Sequence, residues 1–209
     1  MELFDHEQIN HYERDDSIFG ILLFSRSINR DFANYFDVAV HDLSFFTGNK
    51  LNVFYLKAAE QVPAYQLPEH TLHKFTPIGS AQNVKEKGYF SEAQLLSALG
   101  DRFLEGELWQ MPCIIFFRSF HSKDFYLFKL NQLPPEDAFK ILMKLSADAE
   151  EVYRVEESAV GNIQLEERRM RAFRSFEVSL NRAYFGQKAK RIVGNSTMLA
   201  IFGAAVGFI

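Results

Sequence analysis

The chain has 209 residues, of which 47% are hydrophobic, and its 23 basic and 27 acidic side chains give a formal net charge of −4. This composition excludes a collagen-like or wholly disordered chain and is sufficient for one domain with a full core. The single cysteine, Cys113, excludes an intramolecular disulfide and a cysteine-rich zinc site, so the interior must be held together by apolar packing.

The first part of the chain predicts a strand, a helix and a second strand. Residues 17–24 form a continuous apolar run of strand length, which is typical of a strand buried on both faces. Asn29 or Asp31 can cap the following helix, whose phenylalanines recur at helical spacing. Residues 51–57 form the next strand, so the order predicts a parallel β–α–β crossover unit.

The middle of the chain predicts an excursion, a helix and a hairpin. Residues 58–90 contain three of the six prolines among polar residues, which indicates a long surface excursion. A helix follows over 91–103. The apolar segments 113–118 and 124–130 are joined by a short link, which is typical of an antiparallel hairpin. A further helix, opened by two prolines, is predicted over 135–153.

This order of elements resembles the α/β thioredoxin-like fold, a βαβ…ββα sheet with flanking helices, followed here by a C-terminal helical extension. The resemblance covers about residues 17–153. It rests on the turn Phe24-Ser25-Arg26-Ser27-Ile28-Asn29 after the first strand, the segment QMPCIIFF, and the final hairpin with its helix. In that family the proline before the third strand is cis and faces the active-site turn, and Pro112 matches this proline.

The sequence departs from the redox-active members of that family at the turn. Those members carry Cys-x-x-Cys at the start of the first helix, where this chain has about Asn29 and Phe32, neither of which can exchange disulfides. The resemblance therefore implies a redox-inactive member that serves recognition or assembly rather than catalysis. The binding surface that we predict beside the proline consists of Ser25, Arg26, Ser27, Asn29, Arg30 and Pro112.

Cys113 supports an enzymatic alternative, a single-thiol oxidoreductase or transferase. Such an enzyme needs a reactive thiol of depressed pKa. However, Cys113 follows Pro112 at the start of a predicted buried strand, where a packed core thiol is the commoner role. The sequence contains no phosphate-binding loop and no metal-ligand motif, so we predict neither a cofactor nor a metal.

Residues 154–191 predict a basic amphipathic helical stalk, whose apolar stripe can pack on the globular domain, pair with a second copy or lie along a membrane surface. Within it, residues 168–191 hold eight basic side chains against Glu177 alone, which indicates an anionic partner such as a membrane surface. Nucleic acid is not expected as the partner, because the preceding domain is acidic and repels a phosphate backbone. The basic residues are Arg168, Arg169, Arg171, Arg174, Arg182, Lys188, Lys190 and Arg191.

The segment 192–209 has no charged side chain. As a helix it would rise about 27 Å, against a bilayer core of about 30 Å, which predicts a tail-anchored transmembrane helix. Gly203 and Gly207 are spaced so that two such helices can approach closely, which would allow a homo-oligomer. The alternatives are a tail docked against the core and a membrane-perturbing effector that releases its tail.

These predictions define three parts: a thioredoxin-like domain over 1–153, with its excursion at 58–90, a stalk over 154–191 and an apolar segment over 192–209. No signal peptide is visible, so we expect the globular part in the cytoplasm, associated with a membrane; a soluble cytoplasmic protein is the alternative. The expected partners are an unidentified protein, the membrane through 192–209, and a second copy of the chain.

Overall fold

A computed structural model describes residues 16–46, 50–56, 75–78, 110–159, 164–181, 190–193 and 197. These residues form a mixed α/β structure. Its strands are β1 (Ile18–Leu23), β2 (Leu51–Leu56), β3 (Phe75–Ile78), β4 (Cys113–Phe117), β5 (Asp124–Lys129) and β6 (Lys190–Val193). Its helices are α1 (Arg30–Phe46), α2 (Pro135–Ala159) and α3 (Leu165–Asn181).

The strands form one sheet in the order β3-β2-β1-β4-β5-β6. Strand β1 pairs in parallel with β2 and β2 in parallel with β3, whereas the pairs β1–β4, β4–β5 and β5–β6 are antiparallel. The predicted β–α–β unit and the predicted antiparallel hairpin are therefore both confirmed. The ladder places Leu23 opposite Cys113, so the end of β1 lies beside the start of β4.

Strands β1 and β4 are buried on both faces, as the apolar run of the first strand predicts. On one face, Ile18 and Leu22 of β1 and Phe116 of β4 belong to a core that includes residues of all three described helices. On the other face, the Phe19 ring lies 5.6 Å from the Phe117 ring and 5.3 Å from the Phe120 ring, measured between centroids. Among the described residues, aromatic rings thus pack on both sides of β1.

Helix α3, which lies within the predicted stalk, contributes side chains to this core. Its apolar stripe is buried against the sheet, with the Phe176 ring 5.3 Å from that of Phe116 and the Phe173 ring 5.6 Å from that of Tyr126. Helix α2 also continues past Tyr153, where the predicted domain ends, and packs against α3. Tertiary packing of its apolar face therefore stabilises helix α3.

Two short strands occur where none is predicted. Strand β3 lies within the predicted excursion 58–90 and pairs with β2 at one end of the described sheet. It contains Pro77, which an edge strand tolerates because one side of its backbone needs no partner for pairing. Strand β6 lies at the other end of the described sheet and spans the predicted boundary between 191 and 192.

The prediction of a tail-anchored transmembrane helix is corrected by β6. Arg191 pairs with Tyr126 and Ile192 with Phe125 in an antiparallel ladder, so the predicted membrane segment begins inside a sheet. No helix within the described ranges combines the length and the apolar character needed to cross a bilayer. Gly203, Gly207 and the predicted helix over 91–103 lie outside the described residues.

Candidate functional site

The candidate site is the turn between β1 and α1, at the end of the first strand. Because β4 runs antiparallel to β1, the two residues before β4, Met111 and Pro112, lie next to this turn. The peptide bond between Met111 and Pro112 is cis. The structure thus brings the predicted turn and the predicted proline together.

Asn29 fixes the geometry of the turn. Its backbone N–H donates to the carbonyl oxygen of Ser25 at 2.7 Å, and its own carbonyl accepts from the N–H of Ala33 at 2.9 Å, which begins α1. Its side-chain Oδ1 accepts from the backbone N–H of Ser25 at 3.0 Å, while Nδ2 donates to the carbonyl oxygen of Met111 at 3.0 Å. One amide side chain therefore holds β1, α1 and the residue before Pro112 in place.

Ser25 is buried and Arg26 is half-buried. Ser25 is 5% exposed, and its Oγ lies 2.8 Å from the Oγ of the exposed Ser27. The guanidinium of Arg26 forms a two-pronged ion pair with the carboxylate of Asp37 on α1 and lies 5.8 Å from the centroid of the Phe24 ring. The positive charge of Arg26 is therefore compensated within the protein.

Tyr55 of β2 lies close to this ion pair. Its ring meets that of Phe36 edge-on at 4.8 Å. Burial, and then the negative charge of Asp37, raise the pKa of Tyr55 above its usual value, so the hydroxyl keeps its proton at neutral pH. The turn and its neighbours offer hydroxyls, an amide and a paired guanidinium, which suit hydrogen bonding better than group transfer.

The side chains that the turn exposes are Ser27, Ile28 and Arg30, whereas Ser25 and Pro112 are buried. The exposed predicted surface is therefore smaller than expected. Ile28 is 57% exposed and is absent from the residues that the sequence assigns to binding. The sequence could have indicated Ile28, because it is an apolar residue between polar and charged residues of the turn. It lies outside the apolar run that forms β1.

Cys113 lies beside the turn but is enclosed. Its side chain is 0% exposed at the start of β4. Burial raises the pKa of the Cys113 thiol to about 12, and the positive charge of Lys129 offsets this only in part. Because the thiolate is the nucleophile, this environment disfavours the single-thiol enzyme.

The basic residues of α3 and β6 do not form one uniform anionic-ligand surface. Arg169 is 4% exposed, with Glu166 at 4.0 Å, and is therefore inside the protein. Three others pair with acidic residues: Arg168 with Asp16, Arg171 with Glu167 at 2.6 Å, and Arg191 with Asp124 at 3.3 Å. Arg174 is exposed on α3, Lys190 lies in β6, and Arg182 and Lys188 lie outside the described residues.

The chain was compared with known proteins. No protein-family model, no curated protein and no solved structure matches it. Among the residues that the structure describes, no three His, Cys, Asp or Glu side chains are grouped so that they could hold a metal ion. The function must therefore be derived from the geometry of the chain's own residues.

Proposed function

We propose that the chain is a redox-inactive, thioredoxin-like module that recognises a protein partner through the turn between β1 and α1. The thioredoxin-like assignment is supported by the strand order β2-β1-β4-β5, with β1 and β2 parallel and β4 and β5 forming an antiparallel hairpin. It is also supported by Pro112, which directly precedes β4 beside the turn.

The observation that carries the proposal is the role of Asn29. In redox-active members of the thioredoxin-like family, a cysteine at the start of the first helix supplies the reactive thiolate. Here the Asn29 side chain is engaged by two hydrogen bonds within the protein, one to Ser25 and one to Met111. The position therefore stabilises the turn and does not react.

A turn fixed in this way is well suited to recognition. The exposed side chain of Ile28 is held by backbone that is already ordered, so binding costs less conformational entropy. Ser27 and Arg30 are exposed close to it in the chain and supply polar groups around an apolar centre, which is the usual arrangement of an interface. The partner that fits this surface has an apolar pocket with a carboxylate at its edge.

The first experiment places a photo-crosslinking amino acid at position 28 of the full chain in cells. Position 178 serves as the matched control, because Val178 on α3 is exposed to the same extent, 57%. We expect one protein to be crosslinked from position 28 and not from position 178. Equal crosslinking from both positions contradicts the proposal.

The second experiment measures the affinity of the purified chain for the protein identified in this way. A carboxylate at an apolar interface centre is expected to weaken binding more than about tenfold. We therefore expect this loss for Ile28→Asp and less than about a twofold change for Val178→Asp. Unchanged affinity of Ile28→Asp, in a variant that unfolds at the same urea concentration as the original chain, excludes the turn as the binding site.

The enzymatic alternative has its own test. A thioredoxin-like oxidoreductase accelerates the reduction of insulin disulfides by a small dithiol. We expect no acceleration by the chain, and we expect Cys113→Ala to bind the identified partner with unchanged affinity. Acceleration that Cys113→Ala abolishes would instead establish the single-thiol enzyme.

A further inference from the structure

A second candidate site lies at the opposite end of β4 from the turn. A groove of about 440 Å³ opens where α3 faces the end of β4, the start of β5 and strand β6. Its polar lining includes Arg118, Arg174 and Arg191, together with Asp124 and Glu177. Five residues of β4 separate Pro112 from Arg118, which places them about 20 Å apart along an extended strand, so the groove is distinct from the turn.

The two carboxylates that line the groove are already engaged. Asp124 accepts from Nη2 of Arg191 at 3.3 Å. Glu177 interacts with the hydroxyl of Tyr126 through a hydrogen bond; burial and this carboxylate raise the pKa of Tyr126, so the hydroxyl keeps its proton and acts as the donor. Arg191 therefore neutralises Asp124, whereas Glu177 keeps its negative charge beside the neutral Tyr126. The three arginines and two carboxylates of the lining leave a net positive charge in the groove.

The guanidinium groups have donors to spare. Arg174 is exposed and makes no ion pair with any other residue in the described part of the chain. Arg118 pairs with Glu166 through Nη1, and Arg191 pairs with Asp124 through Nη2. Since a guanidinium carries five N–H donors, most donors of these three arginines remain for a ligand. The groove therefore matches a ligand with several strong acceptor oxygens and negative charge.

We propose that this groove binds a small organic molecule through a phosphomonoester group. A phosphomonoester has three strong acceptor oxygens and nearly two negative charges at neutral pH, and arginine binds such groups with paired hydrogen bonds. The groove volume lies within the range of about 300–1,000 Å³ that is typical of small-molecule sites. It exceeds the size of a phosphate group alone, which leaves space for the organic part above Tyr126 and Phe173.

The test is calorimetric titration of the full chain, at low ionic strength, with a hexose phosphate and with the same hexose without phosphate. Arg174→Gln is compared with Arg154→Gln, because both remove one charge from an exposed helical arginine and Arg154 lies on α2, outside the groove. We expect saturable binding of the phosphorylated sugar only. Loss of a charge-assisted hydrogen bond is expected to weaken binding about tenfold or more for Arg174→Gln, with no change for Arg154→Gln.

A third variant is expected to raise the affinity for the hexose phosphate instead of lowering it. Asp124→Asn removes the carboxylate that competes for Arg191, so it is expected to tighten binding of the hexose phosphate. Equal affinities of Arg174→Gln and Arg154→Gln, or equal binding of the two sugars, would overturn the proposal. Binding of a phosphoserine peptide without binding of the hexose phosphate would also overturn it, because the occupant would then be a protein segment.

Discussion

The side-chain amide of Asn29 donates a hydrogen bond to the backbone carbonyl of Met111 at 3.0 Å, although 82 positions separate the two residues. The same side chain accepts from the backbone N–H of Ser25. Both backbone groups lie in partly buried surroundings, where an unpaired polar group is costly. Asn29 thus connects the helix start with the segment that leads into β4, and the shape of the candidate recognition turn depends on this connection.

Replacing Asn29 by alanine tests this role. The substitution leaves the N–H of Ser25 and the carbonyl of Met111 without their partner, so we expect the free energy of unfolding to fall by about 1–3 kcal/mol. Asn34→Ala is the control, since Asn34 is exposed on the same helix and its replacement should change stability by less than about 0.5 kcal/mol. Urea denaturation followed by circular dichroism measures both. Equal effects of the two substitutions contradict the role of Asn29.

The thiol of Cys113 should react slowly in the folded chain. Its pKa is raised to about 12 by burial, so at pH 8 only about one thiol in ten thousand is ionised, and the rate of alkylation should still rise with pH above 9. An exposed cysteine, in contrast, approaches its maximal rate near that pH. Alkylation with iodoacetamide is measured by mass spectrometry, with the urea-unfolded chain as the control. If Cys113 is alkylated as fast in the folded chain as in the unfolded chain, its thiol is not enclosed.

Gly20 and Ile114 form a tight contact between β1 and β4. A Cβ atom at position 20 would lie 3.1 Å from Cδ1 of Ile114, closer than ordinary van der Waals contact. Gly20→Ala is therefore expected to cost about 1–3 kcal/mol through overpacking, and Ile114→Val about 0.5–1.5 kcal/mol through lost packing. The double variant removes the clashing methyl group, so its loss of stability should be smaller than the sum of the two single losses. Additive losses in this double-mutant cycle would show that the two positions do not interact.

The sequence predicts the elements that have a strong local pattern. The apolar run of β1, the helical spacing of Phe32, Phe36 and Val40 in α1, and the paired segments of β4 and β5 each specify one type of structure. The proximity of Asn29 to Met111 is implied by the family resemblance. Its hydrogen bonds depend on the antiparallel register of β1 and β4, which joins distant segments.

The elements that the sequence does not predict are those decided by distant partners. Strands β3 and β6 have four residues each, too few for a clear periodicity, and they form because β2 and β5 offer unpaired edges. The charge pattern of 168–191 indicates an exposed basic surface, but the acidic partners of Arg168 and Arg191 are Asp16 and Asp124, far away in the chain. Composition alone does not show such neutralisation.

The place of α3 in the core leads to the last prediction. Phe176 is fully buried and its ring meets that of Phe116 at 5.3 Å, so Phe176→Ala should lower the free energy of unfolding of the whole chain by about 3–5 kcal/mol. Val178 lies two residues further along the same helix and is exposed, so Val178→Ala should change stability by less than about 0.5 kcal/mol. Urea denaturation gives both values. If α3 were a separate stalk, the sheet would unfold at the same urea concentration in both variants. If only Phe176→Ala lowers the free energy of unfolding, α3 is part of the folded core. Removing one aromatic ring from α3 can destabilise the strands only if the helix and the strands share one packed interior.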